Sequence, residues 1–284
     1  MKRQFVPIIL LFTFAFCTPK PQTEASQILP SDEIPMEYSK ENFYMPILEA
    51  IVNDSLAFKV FFDTGTPSKY IVVSDSLKNK LIGDNVSVQI GKTKKQMGID
   101  FIESNRTSFF SVYGKNLIIA GWEFFEDKAI ELSFESLCIR VYDSLPDVTE
   151  YSRTKITVTP SSHLAIPIQI VLQGKTMEDT VFIDTGNNGY ASFDTELVEK
   201  YEINIEDAYH GKSMTNVGLY SGYSLPADTI KIGDLYVADT DLRVAFRPRT
   251  KNRSIGGLLG VKTLEKFSVI LDLINYDLYL KEKD

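Results

Sequence analysis

The chain has 284 residues, 44% of them hydrophobic and 12% aromatic, enough to bury one large core or two modest ones and too apolar for a chain disordered throughout. Its net charge of −8 is spread along the sequence rather than gathered in a tail. Lys and Arg form no basic stripe of the kind that follows a phosphate backbone, which argues against nucleic acid as a partner.

At the N-terminus, Lys2 and Arg3 precede an apolar run from Phe5 to Phe16, interrupted by Pro7 and Thr13. A transmembrane helix needs about 20 apolar residues, so residues 1–17 read as an export signal. Residues 18–40 read as a flexible tether, because Thr18 to Pro35 is rich in Pro, Ser, Thr, Gln and Glu and cannot bury enough apolar surface to order itself. Cys17 at the junction gives the region its resemblance to a bacterial lipoprotein, which implies lipid on Cys17 and attachment to a membrane there. Phe16 stands where such signals place a small residue, and ordinary cleavage around Ala15 to Cys17 is the other outcome. Both place the protein outside the cytoplasm, as an envelope lipoprotein or a periplasmic or secreted protein.

Beyond the tether the chain repeats itself. Pro46 to Asp63 aligns without a gap with Pro167 to Asp184, each segment an apolar run, a polar turn and a second apolar run, which is the signature of a β-hairpin. The returning runs end in Val60-Phe61-Phe62-Asp63-Thr64-Gly65 and Val181-Phe182-Ile183-Asp184-Thr185-Gly186. A second pair aligns on glycines, Ile118-Ile119-Ala120-Gly121 with Gly257-Leu258-Leu259-Gly260. After each comes about one or two helical turns, then alternation of period two (Ile130, Leu132, Phe134 against Val269, Leu271, Leu273) that predicts strands with one buried face.

Between these pairs lie variable middles, the second of them longer and rich in Gly and Tyr, each holding an Ile-Gly pair (Ile90-Gly91, Ile232-Gly233) that predicts a tight turn. Helical periodicity is confined to stretches such as Asp194 to Tyr201. The fold class expected is all-β, in two similar lobes over residues 41–150 and 151–284, with Ser144 to Ser162 as the linker between them. Cys138 is the only cysteine left in the mature body, so no internal disulfide is expected, and its apolar setting predicts a core filler. His163 and His210 sit in polar, turn-like contexts and are expected to face solvent. They supply no zinc constellation, and neither metal nor cofactor is expected.

Two Asp-Thr-Gly tripeptides, each after an aligned hairpin and before an aligned hydrophobic-hydrophobic-Gly segment, resemble the aspartic peptidases of the pepsin and retroviral protease type. The resemblance covers nearly all of the chain from Tyr44 onward, both halves in one chain and each short and retropepsin-like. It implies Asp63 and Asp184 as the catalytic pair, Thr64 and Thr185 cross-linking the two loops beneath it, and Gly121 and Gly260 packed against those loops. Gly65 and Gly186 let the backbone turn tightly beside the carboxylates. Two carboxylates about 3 Å apart share one proton, so that one can activate water while the other donates to the substrate carbonyl.

Thr66 fits the family's position for a hydroxyl bonded to a catalytic carboxylate; Asn187 stands there in the second copy, and an amide can donate such a bond. The flap is not identifiable, with Tyr113, Tyr220 and Tyr223 as candidates. The function implied is a monomeric aspartic endopeptidase holding extended polypeptide in the cleft between lobes. The alternative is a non-catalytic peptide-binding or structural module of the envelope on the same scaffold.

Overall fold

The computed structural model describes residues 29–41, 44–66, 69–102, 117–215, 218–248 and 256–283. The export signal, Cys17 and Tyr113 lie outside the described residues. In the N-terminal half, β1 (Asp32–Pro35) precedes a hairpin of β2 (Ile47–Val52) and β3 (Leu56–Phe62). There follow β4 (Tyr70–Ser74), β5 (Asn85–Ile90), β6 (Thr93–Ile102) and β7 (Leu117–Ala120), then a hairpin of β8 (Ala129–Ser133) and β9 (Cys138–Tyr142). β2 to β7 close into a barrel in the order β2-β3-β7-β4-β6-β5.

The C-terminal half opens with β10 (Ser152–Lys155), β11 (Thr157–Val158) and a hairpin of β12 (Leu164–Leu172) and β13 (Lys175–Asp184). β14 (Ala191–Asp194) leads into the short helix α1 (Glu196–Lys200), and β15 (Tyr209–Thr215) with β16 (Gly218–Pro226) makes a long hairpin. β17 (Thr229–Ile232), β18 (Leu235–Val237) and β19 (Arg243–Arg247) follow, then β20 (Gly257–Gly260), the one-turn helix α2 (Val261–Leu264), β21 (Phe267–Asp272) and β22 (Asp277–Glu282). The described chain is therefore mostly β. No helix among the described residues is long and apolar enough to cross a membrane.

Why these segments are strands is visible in their burial. β2 alternates as Ile-Leu-Glu-Ala-Ile-Val, with Leu48, Ala50 and Val52 buried and Glu49 and Ile51 exposed, the period of two that a half-buried strand requires. β7 and β20 are buried at every position, as expected of strands covered on both faces. The Ile-Gly pairs do form turns: Gly91 and Gly233 both have φ of +57°, where a side chain is strained.

A six-stranded sheet in the order β1-β9-β8-β21-β22-β10 joins the halves. At its centre Ile130 pairs with Leu271 and Leu132 with Val269. In the repeat Ile130 corresponds to Val269 and Leu132 to Leu271, so this pairing maps onto itself when the halves are exchanged. One hydrophobic cluster runs through both halves, from Phe62, Phe124 and Phe125 to Phe193 and Phe246.

Three expectations need correction. β1 falls inside the segment read as a flexible tether; it pairs with β9 from Asp32↔Val141 to Pro35↔Cys138, and Ile34 and Met36 are buried. Two apolar residues and a free sheet edge suffice to order a segment whose composition is otherwise polar. The linker Ser144 to Ser162 likewise contains β10 and β11. β10 is polar, and it forms because the edge of β22 offers its backbone unpaired partners. The ungapped match of the first hairpins does not hold in space: Ile47 pairs with Phe61 as Ala165 pairs with Phe182, so Ile47 corresponds to Ala165. The first hairpin turns through Asn53 to Ser55 while the second runs on for two more pairs to a turn at Gln173-Gly174.

Candidate active site

β3 and β13 each lead into Asp-Thr-Gly, and each is paired in parallel with the strand that leads to the aligned glycine. Phe62 lies in register with Ala120, and Asp184 with Gly260. The two loops are tied by four reciprocal bonds. The Thr64 hydroxyl donates to the Ile183 carbonyl (2.8 Å) and accepts from the Thr185 N–H (3.0 Å). The Thr185 hydroxyl donates to the Phe62 carbonyl (2.7 Å) and accepts from the Thr64 N–H (3.0 Å). Both threonines are fully buried. A residue with a hydroxyl and a backbone N–H at this point satisfies its partner's groups while its own are satisfied, which a buried polar contact requires.

Above this clasp the carboxyl groups of Asp63 and Asp184 are hydrogen-bonded to one another, and both residues are half-buried. Each accepts the N–H of the glycine two residues on, Gly65 to Asp63 and Gly186 to Asp184, both at 2.9 Å. The glycines are required by space: a Cβ on Gly65 would lie 2.5 Å from Asp184 Oδ1, and one on Gly186 would lie 2.8 Å from Asp63 Oδ1. Burial pushes the Asp63 carboxyl above the ordinary carboxylate range, while hydrogen bonds from Thr66, from the Asp184 carboxyl and from the Gly65 and Thr66 N–H groups pull the other way.

Gly260 packs as the repeat implies. A Cβ there would lie 2.2 Å from the Gly189 carbonyl oxygen, and the Gly260 N–H donates to the Tyr190 carbonyl at 2.8 Å. Gly121 is buried at the end of β7, whose Ala120 carbonyl accepts the Asp63 N–H at 3.0 Å. Thr66 donates to Asp63 Oδ2 at 2.7 Å. Asn187 departs from its expected part: its amide nitrogen donates to Ser192 Oγ (3.3 Å), and its oxygen accepts the Gly189 N–H (2.9 Å). The extra reach of Asn over Thr lets the side chain turn into its own loop, where a short Asx turn satisfies it.

His163 is half-buried rather than free in solvent. Its ring lies flat on Phe182, centroids 4.0 Å apart at 9°, and Nδ1 is 2.9 Å from Ser161 Oγ. His210 is exposed, as its sequence context suggested, and Cys138 is buried. Of the tyrosines considered for a flap, Tyr220 and Tyr223 lie on β16. Among the described residues of the first half the β15–β16 hairpin has no counterpart; β4 leads there through a 3-10 turn (Asp75–Leu77) and a loop to β5. Among the described residues no three metal-ligating side chains gather.

Strand alternation puts Phe61 on the same face as Asp63, and Phe182 on the same face as Asp184. On that face in the C-terminal half also lie Ser192 and Arg247, whose guanidinium donates to Ser192 Oγ. Neither is marked by any motif: Ser192 matches Val72 only across a gap after Asp-Thr-Gly, and Arg247 lies in the middle segments, which differ in length. No family model and no curated protein matches the chain.

Proposed function

We propose that the chain is an aspartic endopeptidase of the pepsin and retropepsin type, its two halves forming two lobes around a cleft. The observation that carries the reading is the reciprocal Thr64–Thr185 clasp, which holds the Asp63 and Asp184 carboxyls in hydrogen-bond contact. Such a pair keeps one proton between two carboxylates, because a second negative charge at that distance is too costly. The ionised member takes a proton from a water molecule as it attacks the scissile carbonyl. The protonated member donates to the carbonyl oxygen; the carboxyl that took the water's proton then gives it to the leaving nitrogen, and as the C–N bond breaks a hydroxyl of the intermediate returns its proton to the other aspartate, without a covalent intermediate. Neither metal nor cofactor has a part in this chemistry.

The substrate in this reading is an extended polypeptide lying between the lobes, and the β15–β16 hairpin is the flap that folds over it. A strand-like substrate draws affinity from backbone hydrogen bonds and preference from side-chain pockets. A monomer suffices, since both aspartates are in one chain. The export-signal pattern supports a place outside the cytoplasm, with lipid on Cys17 tethering the enzyme to a membrane. One observation favours the rival reading of a non-catalytic peptide-binding module: the Asn187 amide is bonded to Ser192 and Gly189 rather than to Asp184.

The test is cleavage of a mixed peptide library by the full chain, from acid to neutral pH, beside Asp63→Asn and Asp184→Asn. Cleavage by the parent that is lost in both variants establishes the aspartic mechanism. A folded parent that cleaves nothing at any pH overturns it and leaves the binding module.

A further inference from the structure

The faces that flank the two aspartates occupy equivalent positions in the two halves and carry opposite chemistry. Around Asp63, Phe61 and Ile119 pack with Ile47, Leu117 and Val72 in a buried apolar cluster, and the partly buried Met45 and Ile102 lie against it. Around Asp184 the matching cluster shrinks to Ala165, Phe182 and Leu258.

The register of the strands gives each correspondence. Val72 pairs with Ile119 as Ser192 pairs with Leu258, so Ser192 replaces Val72. Ser74 pairs with Ile102 as Asp194 pairs with Arg247, so Arg247 replaces Ile102. Ile47 becomes Ala165, and Met45, two residues before Ile47, becomes His163, two residues before Ala165. Leu117 becomes Gly256, because each lies two residues before the residue, Ile119 or Leu258, that faces Phe61 or Phe182. Only the two residues nearest the aspartates, Phe61/Phe182 and Ile119/Leu258, keep their character.

These replacements act together. The half-buried side chains that a substrate would meet are Met45 and Ile102 on one side and His163 and Arg247 on the other. His163 covers Phe182 with its ring, and Arg247 covers Ser192 with its guanidinium. The buried Asp194 lies in register beside Arg247, and the exposed Arg243 lies on the same face of β19, bonded to Ser224.

We propose that the cleft is chemically polarised: the N-terminal half accepts a large apolar side chain on one side of the scissile bond. The C-terminal half accepts, on the other side, one bearing a hydrogen-bond acceptor (Asp, Glu, Asn or Gln). This rests on the peptidase reading above and goes beyond it by naming the class of sequence cut. An imidazole and a guanidinium are donors suited to carboxyl and amide oxygens. Met45 and Ile102 offer an apolar partner only dispersion contact and the exclusion of water.

The experiment is the cleavage-site profile of the full chain on a peptide library, read by mass spectrometry. Alongside it run His163→Met and the triple variant H163M/S192V/R247I, which give the second face the residues of the first. The parent is expected to cut between a large apolar residue and one of the four acceptor residues. In the triple variant the preference for Leu over Gln at the acceptor position should rise by about 10-fold or more, the discrimination a hydrophobic pocket gives for a changed side chain. The single variant, which leaves Arg247 and Ser192 in place, should shift it in the same direction by less. A parent that cuts with the same apolar preference on both sides overturns the polarised cleft and leaves the peptidase reading standing. So does a profile unchanged in both variants. A parent that cuts nothing overturns both.

Discussion

Replacing Thr64 with valine tests whether the clasp between the loops is a structural necessity. Valine matches threonine in shape, so no cavity opens, but the Ile183 carbonyl loses its donor at 2.8 Å and the Thr185 N–H its acceptor at 3.0 Å. Thr64 is fully buried, so water does not replace either bond without opening the structure. A buried polar group deprived of its partner costs about 1–3 kcal/mol. Two of them make Thr64→Val cost about 2–6 kcal/mol, a large part of the 5–15 kcal/mol typical of a whole domain. Thr64→Ser keeps both bonds and loses one methyl group, at about 1 kcal/mol. Thr185→Val breaks the other two bonds and should cost the same as Thr64→Val. The double variant should cost less than the two single costs together, because once the loops part and admit water the second pair of groups is already solvated. Urea unfolding of the four variants and the parent measures all of this. A Thr64→Val variant within about 0.5 kcal/mol of the parent, as for an ordinary surface change, would show that the four bonds do not hold the halves together.

The pair itself should make stability depend on pH in a definite direction. Burial raises the Asp63 carboxyl in the folded chain above its unfolded value, so the folded state holds that proton more tightly. The resulting stabilisation is complete below the unfolded pKa of about 3.9 and is lost as pH rises through the folded value, at about 1.4 kcal/mol per unit of elevation. Asp63→Asn, which cannot ionise, should therefore gain stability relative to the parent as pH rises from acid toward neutral; thermal unfolding across that range checks the sign, and a relative loss refutes it. Gly65→Ala places a Cβ 2.5 Å from Asp184 Oδ1, and the displaced carboxyl should lower kcat/KM by about 100-fold, as a misplacement near 1 Å does, with circular dichroism unchanged. Ile34→Ala in β1 should cost about 2–5 kcal/mol, whereas Leu29→Ala, at a residue 73% exposed, should fall within about 0.5 kcal/mol of the parent in the same urea assay; equal effects would return β1 to the status of a tether.

The elements legible in the sequence were those whose cause is local. The Asp-Thr-Gly tripeptides and the aligned glycines announce themselves because tight turns and close backbone approach admit few residue types, and the strands show through their period of two. The Ile-Gly turns were legible for the same reason. What escaped depends on partners far along the chain. β1 is a strand because Val141 to Cys138 offer it an edge more than a hundred residues away, and nothing in Asp-Glu-Ile-Pro says so. The proline match between the first hairpins is misleading because Pro46 stands before its hairpin, whereas Pro167 lies within the longer second one, paired with Thr180. The polar neighbours of His163 suggest solvent, but its ring is placed by Phe182 across the hairpin. Asn187 stands where Thr66 stands in the first copy, but its longer side chain finds a nearer partner in its own loop.

The distribution of these departures follows a physical rule. Where the halves touch each other, a change in one copy must be met by a matching change in the other, because each supplies the partner for a buried group. Thr64 and Thr185 could not diverge singly without stranding a buried N–H and carbonyl, and Ile130 with Leu271 and Leu132 with Val269 must fill one shared layer of the central sheet. Where each half faces outward beside its own aspartate, no such coupling acts, since Met45 and Ile102 pack against the Phe61 cluster, whereas His163 lies on Phe182 and Arg247 bonds Ser192. Divergence there is limited only by each half's own packing. An extended polypeptide has direction and is not itself two-fold symmetric, so the proposed cleft, symmetric at the clasp and asymmetric on its flanking walls, would suit a substrate with different side chains on the two sides of the bond.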